Sequence, residues 1–524
     1  MKKHNILKVT GLSFLVLTLL TWIIPAGTYS GPEFVKGEVS PTGLFDLFYN
    51  PLMMIGVVFQ YAIILLVIGG FYGVISKSGV YTKIVNSVVK KFNKKEKRFL
   101  IISTIVFALL ASIVGYPFIL FVLVPFAAAV ITLLGFNKIT AMLSTVGAMM
   151  VGVVGSTTSA DIAGTLATTY TTDITDNLLI KFAILVVVTT LYTISVVKMS
   201  KVEVKEVKET KEEPKKTTKK VAKKETTKTT KKTTTKAEAK GKKDVVKVKK
   251  EIKKEVKKVE KNVLLYNEKD IKKDKNALPL IIIFGLLLVL IIISTFNWSL
   301  FKITFFDDIY KNIMEVKLFD KAIIEFVLGY VSPFGYWSIY EFVAVLLILI
   351  PLISWIYSVK VDDVVDGFIA GAKTMIKPAV AVVLASLMFS VFISVTQGGL
   401  SLAQNNIYFT IMNFLFGITD GFNSIVAGIV TFIGGFMISD FSILNSFISM
   451  PSLSLYDPES FKILTLVIQT VYGLTLFIAP SSMLLLAGLS LFDISYKDWF
   501  KMIGKLLIKV ALLVIIVLVV TLFI

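Results

Sequence analysis

Residues 139–161 read ITAMLSTVGAMMVGVVGSTTSAD, and the way that stretch is threaded decides the topology around it. It is apolar as far as Val154, then passes through Gly155-Ser156-Thr157-Thr158-Ser159 to a carboxylate, Asp161. Glycine and clustered hydroxyls interrupt a helix, and non-helical backbone at membrane depth is tolerated only where protein buries it or a wet cavity borders it. Apolar spans near 99–115, 117–135, 160–176 and 178–198 flank the stretch. The Lys-rich segments 77–98 and 201–275 belong on one face, the cytoplasmic one, by the charge bias of short loops. An even number of crossings must separate them, and a fifth full crossing at 139–157 breaks that parity. The expectation is a re-entrant hairpin with its tip at 155–159.

The surrounding chain has the composition of a polytopic membrane protein. It has 524 residues, 55% of them hydrophobic and 18% charged. Runs such as 278–293, 342–356 and 503–524 are long enough to cross a hydrocarbon layer of about 30 Å at about 1.5 Å per residue. The first run, Val9 to Ile24, is expected to be a retained helix, because Trp22 and Pro25 stand where a small-residue cleavage site would lie. No cysteine is present, which excludes disulfides and thiolate chemistry. The single histidine, His4, lies in the N-terminal tail. With no phosphate-cradling Gly-rich loop ending in Lys-Ser or Lys-Thr, built-in ATP hydrolysis is disfavoured. The chain is not expected to be an enzyme, and its work must be driven by a gradient.

The net charge of +20 is concentrated in one place. Between Lys201 and Lys275 there are 29 Lys against 14 acidic residues. A Lys/Thr/Glu-rich segment of this kind buries too little apolar surface to offset its chain entropy. It is expected to be a disordered cytoplasmic linker attracted to anionic lipid headgroups. Without interleaved aromatics it is a poor nucleic-acid reader, although a membrane-anchored tether for an acidic partner is the alternative function to weigh.

An internal repeat appears at an offset of roughly 324 residues. Pro125 falls near Pro451, Ala163-Gly164 onto Ala487-Gly488, the 178–198 span onto 502–523 and the 52–75 helix onto 376–397. The amphipathic connector Val80 to Lys95 has a counterpart in Ser401 to Asp420. One extra crossing near 277–296 makes matching helices run in opposite directions, the pattern of alternating-access carriers with a site between the repeats. The expected architecture is an all-α membrane protein of about 13 transmembrane helices plus two re-entrant hairpins. Its parts are an N-terminal membrane repeat (1–199), the linker (200–276), a connecting helix and extracellular loop (277–335) and a C-terminal membrane repeat (336–524). N-terminus and linker are placed in the cytoplasm.

Several blocks carry a family resemblance. They are Thr21-Trp22-Ile23-Ile24-Pro25-Ala26-Gly27-Thr28-Tyr29, the run Ile68 to Gly79, Gly152 to Thr157, Gly367 to Lys373, and Pro480-Ser481-Ser482 through Leu486-Ala487-Gly488-Leu489 to Trp499. With these the chain resembles the YfcC and DcuC-type carriers of the ion-transporter superfamily over most of its membrane part. That resemblance implies inverted repeats whose hairpin tips hold a small organic anion or amino acid, often with a coupling cation. The sequence departs from the pattern at Ser159 and Ala160, where the family has Asn and Pro, and at Leu476, which replaces an Asn.

The candidate substrate-binding residues are Gly155, Ser156, Thr157, Thr158 and Ser159 at the first tip and Pro480, Ser481 and Ser482 at the second. Clustered hydroxyls lie beside exposed backbone amides, and helix N-termini there would attract an anionic group. Asp161, Asp440 and Thr475 are the candidates for ion or proton coupling, because a carboxylate at membrane depth is costly and usually faces a cavity or a partner. No cofactor and no metal site are expected beyond H+ or Na+ as coupling ion. The expected function is secondary active transport of amino acids or small carboxylates across the cell membrane, coupled to H+ or Na+ or working by exchange. Homo-oligomerisation is left open.

Overall fold

In lipid a backbone without water must bond to itself, so long apolar segments become helices, and most of the chain has done so. The computed structural model describes residues 5–212 and 275–521, except 319–320, 330, 397–398, 403–404, 420–422, 439 and 456. Among the described residues six helices are long and apolar enough to cross a membrane: Val58–Lys77, Leu178–Ser200, Leu278–Thr295, Ile339–Ile356, Val361–Phe392 and Tyr496–Val520. Shorter apolar helices include Ile6–Thr21, Pro117–Leu133, Lys138–Val154, Ser424–Met437, Phe441–Leu455 and Phe461–Thr475. Helix Leu178–Glu212 continues into the segment expected to be linker. The rest of that segment, 213–274, lies outside the described residues.

Two of these helices form the central contact between the parts of the chain before and after 213–274. Helix Ile55–Lys77 packs along Val361–Leu387 in the antiparallel sense, Gly69 against Gly371 and Gly73 against Gly367. A methyl group built on Gly73 would sit 1.9 Å from the Gly367 carbonyl oxygen, and one on Gly371 would sit 2.0 Å from that of Gly69. The glycines let the backbones touch, as small residues do in membrane helix pairs. Asp363 at the start of Val361–Leu387 adds a 4.0 Å contact with the Lys77 ammonium group.

The stretch that opened the analysis is a crossing helix broken midway. Its first arm, 138–154, runs parallel to Glu96–Ile113: the Ser103 hydroxyl donates to the Ser144 carbonyl, and Gly152 lies against Ala108 and Ala111. It runs antiparallel to Leu178–Glu212, with Gly155 against Leu185 and Gly147 against Tyr192. Leu178 therefore lies beyond the break, and the second arm, 160–169, continues outward instead of turning back.

A second broken helix lies antiparallel to the first. It runs through Phe461–Thr475, an interruption at 476–482, and Met483–Leu491. Gln469 meets Ser156, Gly473 meets Val154, Gly488 meets Val146 and Met142, and the Lys138 ammonium group donates to the Asp493 carbonyl. At the opposite end Lys462 pairs with Asp176 at 2.9 Å and its carbonyl accepts from Asn177 Nδ2. This ordered series of contacts corrects the placing of hairpin tips at 155–159 and 480–482. A hairpin would bring the arms of one interruption together, whereas here each chain crosses straight through. The parity of crossings is kept, because 138–169 counts once.

Two more expectations are refined. The fold is mostly helical but contains three two-stranded antiparallel hairpins, Gly27–Ser30 with Glu33–Lys36, Lys317–Leu318 with Lys321–Ala322, and Ile393–Thr396 with Gly399–Leu402. They lie in connections, where short extended segments pair their own backbones and no apolar period announces them. The amphipathic connector is helix Tyr81–Phe92, while the proposed counterpart shortens to helix Ile407–Ile418.

The glycine contact gives a direct test. Gly73→Ala or Gly371→Ala forces the paired helices apart and is expected to cost about 1–3 kcal/mol, the usual range for overpacking. The measurement is the Tm of the purified protein in detergent. Gly285→Ala, with nothing within 4 Å of the added methyl, should leave Tm unchanged or raise it slightly.

Candidate functional site

Four interruptions meet around one cavity. Helix Glu96–Ile113 ends in extended backbone at Val114 and Tyr116. Pro117 explains this, since it lacks an N–H and disfavours a helical residue before it. The first broken helix opens at 155–159. Helix Ser424–Met437 ends in extended backbone at Ile438, and Phe441–Leu455 starts after Asp440. The second broken helix opens at 476–482.

The cavity is bordered by all four. Polar groups come from Asp161, Asp440, Tyr61, Tyr116 and Tyr472, and apolar surface from residues such as Val153, Phe118, Leu476 and Met483. No Lys, Arg or His lines it. Asp161 and Asp440 are each partly exposed. Among the described residues no three His, Cys, Asp or Glu side chains gather as a metal site.

The two carboxylates are held differently. Asp440 accepts from the Tyr61 hydroxyl at 3.2 Å and from the Ile443 backbone N–H at 3.2 Å, so it also caps helix Phe441–Leu455. Asp161 sits in the first turn of the 160–169 arm, which has no side-chain cap. Among the described residues no donor lies within hydrogen-bond distance of its carboxylate.

The hydroxyls named from sequence do not line the cavity. They close the breaks in the backbone. The backbone N–H groups of Thr157 and Thr158 donate to the Ser112 carbonyl at 3.0 and 3.3 Å, and the Ser112 hydroxyl donates to the Gly155 carbonyl at 3.0 Å. Ser112 and Thr157 hydroxyls lie 2.9 Å apart, and those of Ser156 and Ser159 lie 2.5 Å apart. Gly155 is there for space, since a Cβ would fall 2.6 Å from the Leu185 backbone. At the second break the Ser481 hydroxyl donates to the Gly435 carbonyl, Ser482 caps Met483–Leu491 through the Leu485 N–H, and Thr475 bonds back to the Tyr472 carbonyl. Pro480 lies in that interruption, away from the cavity lining. Of the candidate substrate-binding and coupling residues, Asp161 and Asp440 border the cavity.

Sequence reasoning passed over Gln469, Ser112 and the three tyrosines. The fully buried Gln469 side chain donates from Nε2 to the Ser156 carbonyl at 2.6 Å, so one broken helix supplies the hydrogen bond that the other lacks. Its Oε1 and the Thr158 hydroxyl have no partner. An amide within the apolar run FKILTLVIQTVYGLT was a usable signal, because such a group at membrane depth needs a partner. Gln469→Leu is expected to lower stability by about 1–3 kcal/mol by leaving a buried carbonyl unpaired. The drop in Tm measures it.

Comparison with known proteins places the chain. No curated protein matches it. A transporter from Alcanivorax borkumensis, YdaH, described as having an unusual topology, is similar at 14% sequence identity and a TM-score of 0.40 over 99% of this chain and 98% of that one. Likeness at that level does not carry the fold. The family model described as C4-dicarboxylate anaerobic carrier matches residues 53–237 and 245–523. A match of that extent, over a chain whose crossing helices break around one cavity, makes this multi-pass membrane transporter a member of the C4-dicarboxylate anaerobic carrier family, DcuC.

Proposed function

We propose that the protein is a secondary active carrier for a small solute bearing a protonated amino group, an amino acid being the plainest case, driven by an H+ or Na+ gradient or by exchange. The observation that carries this reading is the cavity lining, two carboxylates and three phenols with no cationic side chain. An ammonium group balances carboxylate charge and is attracted to aromatic faces. A free dicarboxylate would bring two further negative charges to the same walls. The family description favours small dicarboxylates as the second reading. Such a solute would need accompanying protons or cations.

Asp161 and Asp440 are the groups we assign to coupling, and Thr475, bonded back to its own helix, is left out. We further infer that the chain before 200 and after 335 forms two inverted repeats. The antiparallel broken helices support this, as does their reciprocal clamping through Lys138 and Lys462, residues 324 positions apart. The Lys-rich segments set the N-terminus and linker on the cytoplasmic side.

Proteoliposomes test the reading. Entry of labelled alanine, lysine, aspartate, succinate and fumarate is measured with and without imposed sodium and proton gradients. Saturable, gradient-dependent entry of an amino-bearing compound, at least tenfold over the dicarboxylates that lack one, is expected. Entry of succinate or fumarate alone would select the second reading. Deleting 213–262 should leave uptake within about twofold of the full chain, a free-energy change of about 0.4 kcal/mol at most. Loss of uptake with that deletion would favour the tethering alternative.

A further inference from the structure

The two cavity carboxylates border the same space from different elements and are not equivalent. Asp440 stands at the start of helix Phe441–Leu455, where one oxygen accepts from the Ile443 N–H and the other from the Tyr61 hydroxyl of helix Ile55–Lys77. Hydrogen bonds donated to a carboxylate favour its charged form. Among the described residues Asp161 has no such donor, although it too lies near a helix start, so proximity to a helix end does not distinguish the pair. The direct donors do.

The surroundings offer no other group to balance charge. Titratable side chains facing the pair are Tyr61 from helix Ile55–Lys77, Tyr116 from the link before Pro117, and Tyr472 from helix Phe461–Thr475. Glu341, close enough to act on Tyr116, has its carboxylate engaged by Ser332 and Ser338. With no cation in the walls, two simultaneous negative charges at membrane depth are costly, and two carboxylates sharing a site do not readily ionise together.

We propose that the carboxylates divide the work: Asp440 stays charged and holds the solute's ammonium group, while Asp161 takes up the coupling proton from water on one side and returns it on the other. The assignment rests on the carrier reading above and deepens it. On uptake an O–H bond of hydronium breaks as the O–H bond to an Asp161 carboxylate oxygen forms, and on release the Asp161 O–H bond breaks as the proton returns to water on the other side. With Asp161 protonated, a bound lysine, of net charge +1, and the charged Asp440 leave the loaded cavity without excess charge. Tyr61 is a positioning residue, acting through Asp440.

Two measurements test this, one of them independent of any solute. In pH-difference infrared spectra of the full-length protein in membranes, the wild type should show a titrating protonated-carboxyl band. That band should be missing in Asp161→Asn, kept in Asp440→Asn, and moved in frequency but retained in Asp161→Glu. Tyr61→Phe, which touches neither carboxylate covalently, should add a second titrating band by removing a donor from Asp440. In proteoliposomes with labelled lysine, lysine–lysine exchange and proton-driven accumulation are both measured, and Asp161→Asn should lose the second. Asp440→Asn should raise KM at least tenfold in both assays with the shape of the pH profile unchanged. A band lost in Asp440→Asn but kept in Asp161→Asn would overturn the assignment, as would normal proton-driven accumulation by Asp161→Asn. Absence of the band in wild type would do the same. The expected band pattern in a wild type that moves no compound of the panel would overturn the carrier reading alone.

Discussion

A peptide group in hydrocarbon must find a hydrogen bond within the protein, and the centre of this molecule is arranged around that requirement. Interrupting two crossing helices side by side frees N–H and carbonyl groups where no bulk water reaches. Ser112 answers for Thr157, Thr158 and Gly155, and Gln469 reaches across from the neighbouring helix to Ser156. Each such bond contributes about 1 kcal/mol when made, but leaving the buried group unmade costs more. The breaks therefore persist only because each helix is repaired by its surroundings, and one repair comes from the other broken helix.

That dependence explains the division between structural and free polar groups. Hydroxyl groups are the cheapest means of satisfying an open turn, and Thr157, Ser481 and Ser482 are used that way, while the Ser156 and Ser159 hydroxyls bond each other. What remains facing the cavity is a short polar set, Asp161, Asp440 and three tyrosines. The tight glycine contact between Ile55–Lys77 and Val361–Leu387 positions Tyr61, because it fixes the helix that presents this residue to Asp440.

The sequence made the membrane class, the break after Val154 and both aspartates legible, since hydropathy, glycine-hydroxyl clusters and isolated intramembrane charge are local signals. The direction of the chain after Ser159 was not. Parity of crossings is satisfied equally by a hairpin followed by a span and by one broken span, and only the contacts of Gly155 with Leu185 and of Asn177 with Lys462 separate them. The roles of the hydroxyls were hidden for a related reason: Ser112, their main partner, is 43 residues from Gly155 in sequence. Pairings of that range carry no period or spacing.

The charge of the cavity sets this chain against the plainest reading of its family description. A carrier of dianions needs positive potential where the solute rests, from Lys, Arg, helix N-termini or bound cations. Here the helix start at Phe441 is already neutralised by Asp440, through the Ile443 N–H, and the 160–169 arm carries Asp161 in its first turn. Two of the helix starts that border the cavity thus have an acidic residue of their own, whereas those at Pro117 and Met483 have none in their first turns. The dipoles that would attract an anion instead offset part of the cost of burying carboxylates. The carboxylates thus offset the positive potential of two helix starts, and no cation among the described lining residues adds to it.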